Sequence, residues 1–381
     1  MKILLLGEYS NVHATLAEGL HTLGHHVTVA SNGDFWKDYP RDIDLTRHEG
    51  PLGGLRLSAK VLSCLPRWRG YDVVQLINPM FLEMKAERIL PIFKYLRRHN
   101  RKVVLCAMGM DYYWVSECTN YKPLRYSDFN IGDQLRTDEC AVREQRDWLG
   151  TSKETLNRYI ATHCDHIVAG LYEDYVCYQP HFREKLSFIP LPIKMPANSL
   201  HPSPFTLHQS PFTLHQNPFT LHPSPFTKIF IGISRGRSAY KGTDIMLRAA
   251  EDVLQAHPDK MQLIKVEGVP FAEYQRLIDG SDAILDQLYS YTPSMNPLLA
   301  MSKGIICIGG GEPESYDILG ETELRPIINV EPTYDSVRNA LEDLILHPER
   351  IPDLKRQSID YVRRHHDHLK VARQYETLYK Q

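Results

Sequence analysis

Short continuous apolar runs alternate with amphipathic stretches from the first residues onward. Lys2–Gly7 is an apolar run of strand length, and Asn11–Leu23 places Val12, Leu16, Leu20 and Leu23 on one helical face. His26–Ser31 resumes the strand pattern, and further runs follow at Asp72–Ile77, Lys102–Met108, His166–Gly170 and Ser187–Pro190. Strands that are apolar on both faces belong in a parallel sheet covered by helices on each side. The plan then starts again. Strands are predicted at Lys228–Ser234, Gln262–Val266, Ala283–Leu288, Ile305–Ile308 and Ile327–Val330, with helices at Thr243–Gln255, Pro297–Lys303 and Tyr334–Leu346. The prediction is α/β: two doubly wound, Rossmann-like domains in series, residues 1–197 and 228–359.

Residues 198–227 interrupt the pattern. Ser203–Gln209 (S-P-F-T-L-H-Q) recurs as Ser210–Gln216 and, with two changes, as Asn217–Pro223. A proline in every copy forbids a helix, so a Pro-rich heptad-repeat linker is predicted. His208, His215 and His222 recur with the repeat and are assigned no metal. At the other end, Ile359–Tyr379 reads as one long amphipathic helix, and residues 360–381 are expected to lie back on the first domain. His365 and His368 share a face there without a third ligand, which is the pattern of a polar helix surface.

Composition narrows the class. The chain has 381 residues, 43% apolar and 24% charged, with 44 basic against 46 acidic side chains. That balance argues against nucleic acid as a partner. Seven scattered cysteines without C-x-x-C spacing point to reduced thiols and a cytoplasmic protein. Neither a G-x-x-x-x-G-K-[ST] loop nor a G-x-G-x-x-G after a strand occurs, and no cofactor is expected. Asp42-Ile43-Asp44 matches a D-x-D metal motif only in form, and no metal is expected either.

The remaining chemistry collects at the predicted carboxyl ends of strands, where open α/β sheets bind ligands. Gly232 leads into a glycine-punctuated basic loop carrying Arg235, Arg237 and Lys241 just before a helix start. Cations over a helix N-terminus suit a diphosphate. Asp286 ends another strand, and Gly309-Gly310-Gly311-Glu312-Pro313-Glu314 ends a third, its glycines suited to close approach of a phosphate or a sugar hydroxyl. In the first domain the corresponding ends carry Glu8 and Asn11, with His13 just beyond, and Asp111 after Gly109-Met110.

These residues resemble the retaining, nucleotide-sugar-dependent glycosyltransferases of the GT-B fold, the family-4 group, over nearly the whole chain except the repeat. Arg235 with Lys241-Gly242 is similar to the family's Arg…Lys-Gly pair. Asn296–Gly304 resembles its P-L-L-E-A-M-x-x-G helix, Gly310–Glu314 its G-G-x-P-E turn, and Ile189–Ile193 the run that closes its acceptor domain. The resemblance implies that Arg235 and Lys241 hold the donor diphosphate in the transition state, with Asp111 near the reacting sugar. It implies Gly232, Arg237, Asp286, Gly310, Gly311, Glu312 and Glu314 around the donor, and Glu8, Asn11 and His13 at the acceptor. The implied partners are a nucleotide-diphosphate sugar and a saccharide or lipid-linked acceptor, in surface polysaccharide synthesis. One departure stands out: the family's paired glutamates fall on Tyr291 and Leu299, which leaves Asp286, Glu312 and Glu314 as substitutes. Two other readings stay open, an inverting enzyme with His13 as general base and a GT-B protein that binds without catalysis. Lys94, Arg97, Arg98, Arg101 and Lys102 read either as a peripheral contact with the inner membrane face or as cations favoured at a helix C-terminus, the second being preferred.

Overall fold

The computed structural model describes residues 1–196 and 226–381. The repeats and their three histidines lie outside the described residues.

The first domain builds a seven-stranded sheet from β1 (Lys2–Leu6), β2 (His26–Ser31), β3 (Ile43–Asp44), β4 (Val73–Leu76), β5 (Lys102–Ala107), β8 (His166–Ala169) and β9 (Leu186–Phe188). Their order is β3-β2-β1-β4-β5-β8-β9, and every pairing is parallel. Helices α1 (Val12–Thr22), α2 (Gly53–Cys64), α3 (Ala86–His99), α6 (Ser152–His163) and α7 (Tyr172–Phe182) cross between strands. Ile3, Leu4, Leu5 and Leu6 are all fully buried, as a central strand covered on both faces requires. Between β5 and α6 the chain inserts α4 (Tyr112–Ser116), the hairpin β6 (Asn130–Ile131) and β7 (Gln134–Leu135), and α5 (Glu139–Trp148). The hydrophobic pattern did not announce this excursion.

The second domain orders its parallel sheet β11-β10-β12-β13-β14. The strands are β10 (Thr227–Ile233), β11 (Met261–Glu267), β12 (Ala283–Leu285), β13 (Ile306–Gly309) and β14 (Ile328–Asn329). Its helices are α8 (Ser238–Lys241), α9 (Thr243–Ala256), α10 (Phe271–Ile278), α11 (Met295–Ser302), α12 (Pro313–Leu319) and α13 (Tyr334–Leu346). The predicted strand to Leu288 stops at Leu285, because the chain swings over to pair Leu288 N with Lys241 O at 3.0 Å.

The C-terminal segment departs from the predicted single helix. It is two helices, α14 (Ile351–His365) and α15 (His368–Lys380). Asp367 caps α15, accepting from Leu369 N and Lys370 N at 2.9 and 3.2 Å. Ile193 brackets the break, donating to His366 O at 2.7 Å and accepting from His368 N at 3.0 Å. Apolar periodicity runs through the junction and so hides it. Tyr361 and Val362 of α14 join the second-domain core, whereas Val371, Ala372 and Tyr375 of α15 pack with Ile3, Leu5 and Leu16 of the first. The histidines diverge. His365 bonds Glu321 at 2.6 Å, and His366 is buried with Nδ1 3.0 Å from Leu191 O.

Candidate functional site

On the second-domain side, β10 delivers the chain into the basic loop, and Gly242 joins α8 to α9. Gly242 has φ 73°, and a Cβ there would lie 2.8 Å from the Leu288 side chain, so both conformation and packing require glycine. The loop's three cations differ in setting. Arg235 is 78% exposed with Nε 3.3 Å from Glu267 Oε1, and Arg237 is exposed over the Tyr240 ring. Lys241 is half-buried. Burial lowers the pKa of its ammonium and Asp286 opposes the shift, while Arg237 and the first-domain Lys37 lower it further. Asp286 is driven up to about 6 by burial against the pull of Lys241. Gly232, read as donor-binding, is glycine because a Cβ would meet the Tyr274 ring at 2.8 Å.

The triple-glycine turn is built for packing, which corrects its reading as an open cradle. A Cβ on Gly310 would lie 1.9 Å from Ser290 O, and one on Gly311 2.7 Å from Ile327. Gly311 N donates to Asn329 Oδ1 at 2.9 Å and Glu312 N to Tyr291 O at 3.2 Å, so neither N–H is free for a ligand. Gly310→Ala is therefore expected to destabilise the fold by roughly 1–3 kcal/mol or more, measured by urea unfolding. A glycine kept only for ligand approach would lose binding at unchanged stability.

Two of the three carboxylates expected around the donor, Glu312 and Glu314, are also taken. Arg125 of the insertion reaches across the domains and places Nη1 2.5 Å from Glu314 Oε1 and Nη2 2.6 Å from Glu312 Oε2. Tyr126 OH donates to the other Glu312 oxygen at 2.5 Å. Tyr291, where the sequence resemblance would place a glutamate, is fully buried. Its hydroxyl accepts from Arg125 N at 2.7 Å and its ring lies beneath the guanidinium. Glu312 and Glu314 thus serve an interdomain contact in this conformation, and Leu299 is a half-buried apolar side chain packed beside the core.

On the first-domain side three expectations change. His13 is fully buried, with Nδ1 2.8 Å from Gly7 O and Nε2 3.2 Å from Gln75 Nε2. Both ring nitrogens are occupied and burial lowers its pKa to about 4, so it is a core histidine and not an acceptor-side base. Asp111 is 1% exposed and caps α4, accepting from Trp114 N at 2.9 Å and Tyr178 OH at 2.7 Å. Burial raises it to about 6, and both carboxylate oxygens are held by protein donors. Glu8 is 2% exposed and caps α1 through His13 N and Ala14 N, with burial raising it to about 8. Glu8 still borders a cavity of about 90 Å3 with Tyr9, Asn32 and Met80. Asn11 stays half-exposed at φ 73°, its Oδ1 without a hydrogen bond. The D-x-D pair is consumed in its turn: Asp42 accepts from Val29 N and Asp44 from Arg41 and Thr46.

A cluster that no motif marked faces Lys241 instead. Lys37 Nζ lies 2.6 Å from Asp34 Oδ2 and 3.3 Å from Ser10 Oγ, and Ser10 N donates to Asp34 at 2.8 Å. Among the described residues, Ser10, Asn11, Asp34, Phe35 and Asp38 are five of the six non-glycine residues with positive φ. They sit in the loops that follow β1 and β2.

A buried seam joins the two domains beside this site. Glu173 of α7 accepts from Ser290 Oγ, Tyr291 N and Thr292 N at 2.7, 2.8 and 3.0 Å, and from Thr292 Oγ1. Arg136 donates to Ala239 O and Tyr240 O at 2.8 and 2.9 Å and stacks 3.5 Å above the Tyr289 ring.

Two parallel-sheet domains facing each other, with the C-terminal helix returned to the first, define the GT-B fold. No family model and no curated protein matches the chain. Among solved structures it is similar to Anabaena HepE in complex with UDP-glucose, at 13% identity and TM-score 0.60 over 100% of both chains. It is also similar to sucrose-phosphate synthase from Thermosynechococcus elongatus, at 12% identity and TM-score 0.60, covering 100% of this chain and 99% of that one. A third is the UDP-GlcNAc 2-epimerase from Neisseria meningitidis bound to UDP-GlcNAc, at 12% identity and TM-score 0.52 over 100% of both chains. At such identities the likeness establishes the fold.

Proposed function

We propose that the chain is a glycosyltransferase that moves a sugar from a nucleotide-diphosphate sugar to a saccharide or lipid-linked acceptor, with retention of configuration. The observation that carries the reading is Lys241, half-buried beside Asp286 at a strand end of the second sheet, with Lys37 of the first domain close enough for its charge to act on it. Lys241 holds the donor diphosphate, and the exposed Arg235 and Arg237 fold onto its outer oxygens. The N-terminus of α9 at Thr243 adds its dipole. As the sugar–oxygen bond breaks, charge grows on the leaving phosphate, and these preplaced cations stabilise it more than they stabilise the ground state. No metal is invoked. The acceptor enters past Ser10, Asn11 and Asp34, on the face of the sugar that the diphosphate leaves. The similar structures support a nucleotide-sugar ligand, since HepE and the epimerase are seen with UDP-sugars. A role in surface polysaccharide synthesis at the inner face of a membrane follows from the acceptor class.

Retention is preferred over inversion because His13 has no free nitrogen to act as base. Transfer assayed with a panel of nucleotide sugars, followed by NMR of the anomeric linkage, is expected to show the donor's configuration kept. An inverted product overturns the mechanism. Binding without catalysis is favoured by one observation, the Arg125 contact that occupies Tyr291, Glu312 and Glu314. Nucleotide binding with no turnover of any donor would select it.

A further inference from the structure

We propose that Tyr274 and Asn296 together form the seat for the ribose diol of the bound nucleotide. The inference rests on the nucleotide-sugar reading and names the residues that recognise the nucleoside. The two side chains come from different helices, Tyr274 from α10 and Asn296 from α11. They meet with Asn296 Nδ2 2.9 Å from the Tyr274 hydroxyl oxygen. Both residues are half-buried, so a small molecule can reach the pair. The Tyr274 ring stands edge-on to Phe230 of β10, and its hydroxyl lies 2.9 Å from where a Cβ on Gly232 would be. The phenol is thereby held over the carboxyl end of β10.

That strand end adjoins the lysine assigned to the diphosphate. β10 and β12 are neighbours in the sheet, and Asp286, beside Lys241, directly follows the last residue of β12. Burial raises the pKa of the Tyr274 hydroxyl to about 12, and the nearby charge of Asp286 pushes the same way, so the phenol keeps its proton. Neighbouring strands are ~4.8 Å apart, a step of the order of that between an α-phosphate and the diol of its own ribose. A diphosphate held by Lys241 therefore brings the ribose within reach of the pair.

Chemistry selects the ligand group. The mutual hydrogen bond uses one amide hydrogen and one lone pair of the hydroxyl. It leaves the Asn296 carbonyl oxygen as an acceptor and the Tyr274 O–H as a donor, since neither side chain has another hydrogen bond among the described residues. A vicinal diol offers the matching set, one hydroxyl donating and the other accepting. Both protein groups are neutral, so they meet an anionic nucleotide without charge repulsion. Tying α10 to α11 does not require them. Lys303, just after α11, already reaches Gln275 of α10 at 3.4 Å and Asp279 at its end at 2.7 Å.

The test is calorimetric titration of the full chain with UDP, GDP, ADP and CDP, then with the 2′-deoxy form of whichever binds tightest. Wild type should bind the deoxynucleotide about 3–10-fold more weakly, the usual share of one neutral hydrogen bond. Asn296→Ala with Tyr274→Phe should bind both forms alike, with the unfolding midpoint unchanged. Tyr274→Phe alone keeps the ring over Gly232 and should still weaken the ribonucleotide. Lys241→Ala should weaken both forms and keep their ratio, because the diphosphate is common to them. If no nucleotide binds, the nucleotide-sugar reading fails and this inference falls with it. If wild type binds the two forms equally, or the double variant keeps the full preference, the reading stands and the ribose seat is overturned. A preference lost only together with stability overturns it as well, by making the pair a structural tie between helices.

Discussion

Lys241→Ala is expected to lower turnover of a nucleotide-sugar donor by ~10²–10³-fold, the usual cost of removing one preplaced charge from a developing anion. The geometry assigns the largest share to this residue. Arg235 and Arg237 are exposed and screened by water, so each contributes less and the loss of either alone costs less. Lys241 is already desolvated, and the field of Asp286 opposes the effect of burial on its charge. Its attraction to a diphosphate is therefore less attenuated. The alanine variant should unfold at a midpoint close to wild type, because no side-chain hydrogen bond is lost with the ammonium and burial, no longer opposed by Lys241, favours the neutral form of Asp286. Initial rates and urea unfolding, measured on the same preparations, decide the matter. A rate loss under tenfold at intact stability sinks the diphosphate role, and a collapse in stability makes the residue structural.

The two sheets were legible in the residues because buried parallel strands are near-continuous apolar runs, and His26–Ser31 and Tyr334–Leu346 fall where the pattern puts them. What failed was whatever depends on distant partners. Glu312 and Glu314 look like donor-binding carboxylates in their own sequence window, but their partner Arg125 lies 187 and 189 residues away. The insertion that carries Arg125 is irregular, with two-residue strands and a five-residue helix, so it has no period to read. His13 and Asp111 have the right types at strand ends, but burial and hydrogen bonding turn them into a core residue and a cap. The Ser10–Asp34–Lys37 cluster was invisible for a different reason. It is made by positive φ at residues other than glycine, which composition does not flag. Tyr291 stands out in the sequence as a departure, but its role depends on Arg125: a large side chain where a carboxylate is expected closes the domain seam.

That seam carries the second large effect. Glu173→Ala is expected to cost about 3 kcal/mol or more of unfolding free energy, a large part of the roughly 5–15 kcal/mol typical of a folded chain. The carboxylate is 4% exposed and accepts four hydrogen bonds from residues 290–292 of the other domain, two of them from backbone N–H groups. Alanine leaves all four donors facing a cavity, and an unpaired buried donor costs ~1–3 kcal/mol. Ser290 Oγ can fall back on its bond to Thr292 O, which holds the total below the simple sum. Glu173→Gln keeps the shape and one acceptor oxygen, so it should cost less. Because the seam also aligns Tyr291 beneath Arg125, hydrogen exchange should rise at 289–292 and at 312–314 together, ahead of exchange in β10 and β1. A cost below about 1 kcal/mol, or faster exchange spread evenly over both sheets, would show that the domains are held by their other contacts. If the cost is as large as expected, the relative placement of Lys241 and Lys37 is fixed by a carboxylate that touches neither, and opening of the donor site is set by how readily Glu173 releases the 290–292 turn.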